Sequence, residues 1–389
     1  MRFEWVFWSY SIPGIGAIGA FTNSGGTLKL RNASAVFALM GASALVLSGC
    51  AAAPEAEPTE TAATATESAA PAVDYLACAV SDEGSWNDKS FNESVYDGLL
   101  KSEAQLGVEI NDAESVTPQD FGPNLQAMVD ANCDITFAVG FGLITDVNIA
   151  AAANPDMNFV TIDGYSEGNA NLKPVNYSME QSSYLAGYLA ASYSKTGIIG
   201  TYGGVNIPAV TIFMDGYYYG AMAYGAENGV EITVLGWDPM TQTGSFTENF
   251  TPNSGESKAL SATQLSAGAD VLFAVGGDQF GAQSSAIDEA GGNGVLIGVD
   301  KNVALFSPEY AKYVLTSVEK RMTDAVYDII SELSAGGAFS GESYVGTLSN
   351  GGTGLSPFYD FDSEISDAVK ARLVEIEAGI NSGEIDPLS

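Results

Sequence analysis

The chain contains no histidine. That absence excludes Ser-His-Asp and Cys-His catalysis and most zinc sites, which depend on an imidazole. Cations are scarce: 14 Lys and Arg stand against 48 Asp and Glu in 389 residues, a formal charge of -34. A surface of that sign repels phosphate backbones, so nucleic acid is excluded as a partner. Phosphate-cradling glycine loops are missing as well. The chain has no Walker A sequence, and Gly276–Gly281 (GGDQFG) lacks the spacing of a dinucleotide fingerprint. The apolar run Ala33–Leu47 falls short of the ~20 residues of a comfortable transmembrane span. Cysteine is limited to Cys50, Cys78 and Cys133. No catalytic residue, metal or cofactor is expected from this inventory. What remains is 46% hydrophobic and only 16% charged, enough to build two domains of ordinary size around packed cores.

The N-terminal segment is a targeting signal and not part of a fold. Lys29 and Arg31 precede Ala33–Leu47, and the run ends in Leu47-Ser48-Gly49-Cys50. A short basic region, an apolar stretch of this length and small residues at its end describe an export signal. The ending resembles the lipobox of bacterial lipoproteins. That resemblance implies that Cys50 becomes the first mature residue, carries lipid and holds the protein on the extracytoplasmic face of a membrane. Residues 1–28 form an upstream extension. Ala51–Val73 is Ala, Thr, Pro and Glu with neither an aromatic nor a basic residue, so it cannot bury enough surface to offset its ordering entropy. It reads as a disordered linker.

From Asp74 onward apolar runs of strand length alternate with helix-length stretches. The runs are Tyr75–Val80, Ile135–Val139, Phe159–Ile162, Gly197–Tyr202, Glu231–Leu235, Val271–Val275 and Val295–Val299. Between most of them lie Ser94–Leu106, Pro118–Ala131, Ile144–Ala153, Ser182–Ser194, Val210–Asn228, Ser257–Ala267 and Gln283–Ala290. Strands apolar throughout and separated by helices predict parallel sheets covered on both faces. The series occurs twice, which predicts an α/β protein of two doubly wound lobes joined by a hinge. Lobe I is expected over 74–181 and 302–335, lobe II over 182–301 and 336–362, and a C-terminal helix over 363–389, with Ala368, Leu373, Ile376 and Ile380 at helical spacing. About three strands of chain should link the lobes.

Ligands of such sheets bind beyond the carboxyl ends of the strands. The residues there are distinctive. The loop after the first strand reads GSWNDKSFNES (Gly84–Ser94), and other strands run into Gly140-Phe141-Gly142, Asp163-Gly164, Gly276-Gly277, Asp300-Lys301 and Glu319-Lys320. A single strand-end Asp is often a helix cap, and a lone loop Phe usually plugs a core edge. Recurrence of rings, acids and one lysine at the same rim of both sheets favours a binding cleft.

Nine segments in order resemble one family. They are NDKSFNE (Asn87–Glu93), GFGLITD (Gly140–Asp146), FVTIDG (Phe159–Gly164), EQSSYLAG (Glu180–Gly187), NIPAVTIFMDGYYYG (Asn206–Gly220), GADVLFAVGG (Gly268–Gly277), IGVDKN (Ile297–Asn302), VLTSVEKR (Val314–Arg321) and GGTGLSPF (Gly351–Phe358). Together they are similar to the basic membrane protein family of bacterial substrate-binding lipoproteins of ABC importers. The resemblance implies a periplasmic-binding-protein-like fold of type I that binds a nucleoside, chiefly a purine nucleoside, and serves permease subunits as a monomer. It also implies site residues. Phe91 would stack on the base, and Asn87, Asp88 and Asn92 would bond its edge. Phe141 and Asp163 would face the ligand. Asp300 would grip the ribose, Lys320 would bond a ring nitrogen or hold the acid, and Gly277 would let the backbone approach the sugar. Asn87 replaces an acid common in relatives, which leaves the base preference open. For the second ring Phe246 is preferred to Phe213, which lies in a helix and can be core.

Two other functions remain on the sequence alone: a sugar receptor or surface sensor of the same fold, and a nucleoside hydrolase using paired carboxylates. The metal-binding Asp cluster of calcium-dependent hydrolases is not in the sequence. Cys78 and Cys133 fall at neighbouring strands. A disulfide is open to an exported protein, but two free buried thiols are the expectation, since cysteine packs well in cores.

Overall fold

The computed structural model describes residues 73–389. The expected signal segment, Cys50 and all but the last residue of the expected linker lie outside the described residues. In chain order the first strands and helices are β1 (Leu76–Val80), α1 (Phe91–Leu106), β2 (Glu109–Ala113), α2 (Phe121–Asp130), β3 (Ile135–Val139), α3 (Ile144–Ala153), β4 (Asn158–Ile162) and β5 (Leu172–Tyr177). There follow α4 (Met179–Tyr193), β6 (Ile198–Gly203), α5 (Pro208–Asn228), β7 (Thr233–Leu235), a small hairpin of β8 (Trp237–Asp238) and β9 (Thr243–Gly244), α6 (Gly255–Ser266), β10 (Val271–Val275) and α7 (Phe280–Glu289). The chain ends with β11 (Val295–Asp300), α8 (Val303–Phe306), β12 (Val314–Lys320), α9 (Met322–Ser334), β13 (Tyr344–Gly346), β14 (Thr353–Leu355) and α10 (Asp367–Ser382).

Two six-stranded sheets result, ordered β13-β5-β4-β3-β1-β2 and β14-β12-β11-β10-β6-β7. All pairings in the first are parallel, and in the second only β12–β14 is antiparallel. Each sheet reverses its winding beside its first strand, at β1/β3 and at β6/β10, which opens a crevice at the strand ends. The central strands β3 and β10 are buried at every position, as their unbroken apolar runs require.

The segment boundaries differ from expectation where the chain crosses between lobes. Residues 302–335 were expected in lobe I, yet β12 pairs with β11 and β14 in the second sheet. The crossing falls after Lys320, and α9 then packs on α1 in the first lobe. Residues 336–362 were expected in lobe II, yet β13 adds to the first sheet beside β5 before β14 returns to the second. With the passage from β5 into α4, this makes three crossings. Strands β2 and β5 went unpredicted because neither is an apolar run: β2 is Glu-Ile-Asn-Asp-Ala with no buried residue, and β5 carries Lys173, Pro174 and Asn176.

Helices α4 and α5 meet at backbone distance. A Cβ on Gly220 would lie 1.9 Å from the Tyr184 carbonyl oxygen, and one on Gly187 would lie 2.0 Å from that of Tyr217. The glycines of this helix pair are therefore a packing requirement. In α10, Leu373, Ile376 and Ile380 are buried, and the helix packs on α4.

The expectation of free thiols is overturned. Cys78 and Cys133 form a disulfide with their Cα atoms 6.0 Å apart. Cys78 lies in β1, and Cys133 lies in the turn that feeds the adjacent, parallel β3, so the sheet itself brings them within bonding range. The crosslink closes a span of 55 residues containing α1, β2 and α2. Replacing both cysteines by serine should cost about 2–4 kcal/mol of stability, read from denaturant unfolding under oxidising conditions. Under reducing conditions the parent should fall to the level of the double variant, and an unchanged midpoint would show that the crosslink contributes nothing.

Candidate functional site

The two sheets present their strand ends to a shared cavity of about 660 Å³. From lobe I it is lined by the loop after β1, the turn after β3 and Asp163 after β4. From lobe II it is lined by the N-terminal part of α5, the segment Glu248–Pro252, the turn after β10, the end of β11 and Lys320 at the end of β12.

The loop after β1 is rigidly built. Trp86 is buried, stacks on Tyr96 with ring centroids 5.2 Å apart, and donates through Nε1 to Asp112 Oδ2 at 2.7 Å. Its backbone N–H bonds Glu114 Oε1 at 2.8 Å. The indole thus pins the loop to β2 and its flank. Asp88 starts α1: Oδ1 accepts from the N–H groups of Ser90 (2.9 Å) and Glu93 (3.0 Å), and Oδ2 from that of Asn92 (2.8 Å). These orphan donors at a helix N-terminus are what a carboxylate satisfies best. The helix accordingly begins at Phe91, three residues before the expected Ser94.

Eight of the ten residues expected at the site line the cavity: Asp88, Phe91, Asn92, Phe141, Asp163, Gly277, Asp300 and Lys320. Two do not. Asn87 is exposed and absent from the lining, because the loop turns it to solvent while Trp86 and Asp88 on either side are buried. Phe246 packs edge-on against Trp237 and over Gly203 and also stays out of the lining. Phe213 lines the cavity instead while packing on Phe273, so it is both core and wall. Phe250, on Gly204, is a further ring that sequence reasoning missed.

Asp82 was also missed, although it follows β1 at the same rim. Its Oδ1 accepts from Asn92 Nδ2 at 2.7 Å and from the Gly84 N–H at 3.0 Å. Gly140 (φ +106) has no room for a Cβ, which would lie 2.4 Å from Asp82 Oδ2. Asn92 Oδ1 is buried and has no partner among the described residues.

Asp163 follows β4 and Asp300 ends β11, corresponding strands of the two lobes, and both take left-handed backbone conformations (φ 58 and 64). That region disfavours most side chains but is open to Asp. Across the cleft, Lys320 Nζ bonds Asp163 Oδ2, and Ser90 Oγ donates to Asp300 Oδ2 at 2.6 Å. The ammonium lies 4.9 Å from the Phe91 ring centroid, 5.4 Å from that of Tyr177 and 5.8 Å from that of Phe213, within cation–π range. Lys320 is the one cation among the lining side chains, against seven acids: Asp82, Glu83, Asp88, Asp163, Glu248, Asp278 and Asp300. Burial raises the carboxyls of Asp82 and Asp300, and the Lys320 charge pulls Asp300 back down. Burial lifts Asp88 to about 7 against its three backbone donors.

Two wound sheets, three crossings and a cavity at the facing strand ends define the two-lobed, type I periplasmic-binding-protein fold. The match to a known family is direct: residues 76–385 fit the ABC transporter substrate-binding protein PnrA-like family, also called Bmp, and the chain belongs to it. It is 28% identical over 323 residues to the ABC transporter nucleoside-binding protein BmpA of Lactococcus lactis, covering 79% of this chain and 88% of that one. An uncharacterized lipoprotein of Pyrococcus abyssi is 27% identical over 312 residues, covering 76% and 74%. Among solved structures, an ABC transporter solute-binding protein of Aeropyrum pernix shares the fold with a TM-score of 0.72 and 22% identity, over 80% of this chain and 92% of that chain. The chain is thus a substrate-binding protein of the ABC transporter type. No helix among the described residues is long and apolar enough to cross a membrane.

Asp88 gives a pH signature. A folded-state value raised from 3.8 to about 7 means the folded protein holds a proton that the unfolded chain releases. The resulting stability is full below about pH 4, declines as pH rises and is gone above about pH 7, a change of roughly 4 kcal/mol at most. The stability of the parent minus that of Asp88→Asn should therefore fall between pH 4 and 7 and then level off. A difference that is flat across this range would show that the three N–H donors outweigh burial.

Proposed function

We propose that the protein captures an uncharged nucleoside, with purine nucleosides preferred, in the interlobe cavity and delivers it to the permease subunits of an ABC importer. It would do so from the extracytoplasmic face of a membrane, as a monomer anchored by lipid on Cys50. One observation carries this reading: the cavity combines aromatic rings with a rim of seven acids and one lysine. Rings suit a planar base, and stacking on one is worth ~1–3 kcal/mol. Carboxylates suit ribose hydroxyls and base N–H groups, which donate. The same acids oppose a phosphate, since like charges repel strongly where little water screens them. A cavity of about 660 Å³ lies within the usual range for small-molecule sites. The nucleoside named for the Lactococcus relative agrees with this chemistry.

The residues divide the ligand between them. Phe91, at the start of α1, offers one face for the base, and Phe213 on α5 the second. Asn92 Oδ1 supplies an acceptor with no competing partner among the described residues, and Asp82 holds that amide in place. Asp300 keeps Oδ1 for the ribose while Oδ2 takes the Ser90 hydroxyl. Gly277 (φ +73) has only Ser90 Cβ near, at 3.9 Å, so its backbone stands open to the cleft. Asp88 acts mainly as the cap that aims Phe91 and Asn92. A hydrolase has less support, since Asp82, Asp88 and Asp163 already accept from Asn92, backbone donors and Lys320.

Calorimetric titration tests the reading. A purine ribonucleoside should bind, and its 5′-monophosphate should bind at least tenfold more weakly. Phe91→Ala should weaken the nucleoside about tenfold to a hundredfold without unfolding the protein. Asp300→Ala should weaken the ribonucleoside more than its 2′-deoxy analogue. Binding of ribose with no response to any nucleoside would transfer the protein to the sugar receptors of this fold. Anchoring is tested separately: Cys50→Ser should release the protein from the membrane fraction, and retention of the variant would overturn the lipid assignment.

A further inference from the structure

A second set of contacts joins the lobes outside the cavity. Asp300 ends β11 in a left-handed turn, and the next residue, Lys301, leaves lobe II and reaches α1 of lobe I. Its Nζ donates to Glu93 Oε1 at 2.7 Å and to Asp97 Oδ2 at 2.8 Å. Glu93 and Asp97 are four residues apart and so share one face of α1. The Lys301 side chain is only 6% exposed, and the Phe306 ring covers its ammonium from 4.5 Å. None of Lys301, Glu93 and Asp97 lines the cavity.

Such a contact is costly to assemble and costly to break. A lysine buried with two carboxylates loses its hydration only in the geometry that pairs it, and in any other geometry water takes it back. Both anions lie on one lobe and the cation on the other, so the pairing exists only when the lobes are together. If the lobes part, Glu93 and Asp97 face each other as like charges without their counterion. We propose that Lys301 with Glu93 and Asp97 is an interlobe latch that sets the open–closed equilibrium of the receptor independently of the ligand. A ligand that binds the closed form then gains affinity in proportion to the closed population already present. The latch raises affinity and slows release without touching what is bound.

The latch stands on the two-lobed geometry and does not need the nucleoside reading, so its primary test uses no ligand. Val116 on lobe I and Met240 on lobe II are each 80% exposed. In the full-length protein carrying Cys50→Ser, cysteines placed at these two sites take spin labels, and dipolar spectroscopy reads the distance between lobes. Lys301→Met should move the ligand-free distance distribution towards longer values, and so should Glu93→Gln combined with Asp97→Asn. If Lys301→Met fails to fold, Glu93→Gln alone, on the partly exposed flank of α1, should give a smaller shift in the same direction. An unchanged distribution in all folded variants would overturn the latch, even if their melting points fall. With inosine as probe, the dissociation constant of Lys301→Met should rise about threefold to thirtyfold, mostly through faster release. A rise in the constant without a shift in the ligand-free distances would place Lys301 in ligand contact and would also overturn the proposal.

Discussion

The buried ammonium of Lys320 is the charge around which the cleft is arranged. Its residue is 3% exposed, and it is the last residue of β12 before the chain crosses to lobe I. Four of the lining acids, Asp82, Asp88, Asp163 and Asp300, lie on the strand ends and loop that face it. Burying that many carboxylates with no counterion would be prohibitive, and each would respond by taking up a proton. Lys320 pairs directly with Asp163, and its field offsets part of the burial that raises Asp300. The three rings around it exclude water and strengthen both interactions. Because Lys320 belongs to one lobe and Asp163 to the other, their ion pair also couples the sheets beside a crossing strand.

The left-handed turns at Asp163 and Asp300 make that arrangement available. Reversal of φ at the residue after β4 and at the last residue of β11 places two carboxylates in the crevice from opposite lobes. The same turn at 300 sends the following lysine out to α1, so a single backbone feature serves the cavity with one side chain and the lobe interface with the next.

The fold was legible where burial on both faces forces an uninterrupted apolar run, as in Ile135–Val139 and Val271–Val275, whose bounds match the observed strands. It was illegible at the edges. Strand β2 is half solvated, so nothing compels an apolar pattern, and β13 and β14 are three-residue additions whose partners are remote in sequence. The crossing after Lys320 leaves no mark in the sequence, because a strand that changes lobe has the same composition as one that does not. At the site, the rim rule found acids and rings by their place after strands. It could not say which way they point. Asn87 and Asp88 are adjacent, yet one faces solvent and the other caps a helix. Phe246 and Phe250 are four residues apart in an irregular segment, and only the path of that segment over Gly203 and Gly204 decides which ring reaches the cavity. The disulfide was illegible for another reason: the sequence places Cys78 and Cys133 at neighbouring strands, but a buried thiol pair and a crosslink present the same apolar pattern.

The distribution of charge differs between the cavity and its margin. Bringing the lobes together gathers seven acids around one lysine, and each added carboxylate makes the closed, ligand-free cleft less favourable. A neutral ligand with donor groups relieves this by offering hydrogen bonds to oxygens that otherwise face one another, and a flat apolar body displaces the water that would screen them. Outside the cavity further ion pairs join the lobes. Lys301 with Glu93 and Asp97, and Lys89 with Glu309 at 3.6 Å, are attractive across the same gap. At the site Lys320–Asp163 is, among the described residues, the one attractive ion pair between the lobes amid seven lining acids, whereas at the margin the interlobe ion pairs are all attractive.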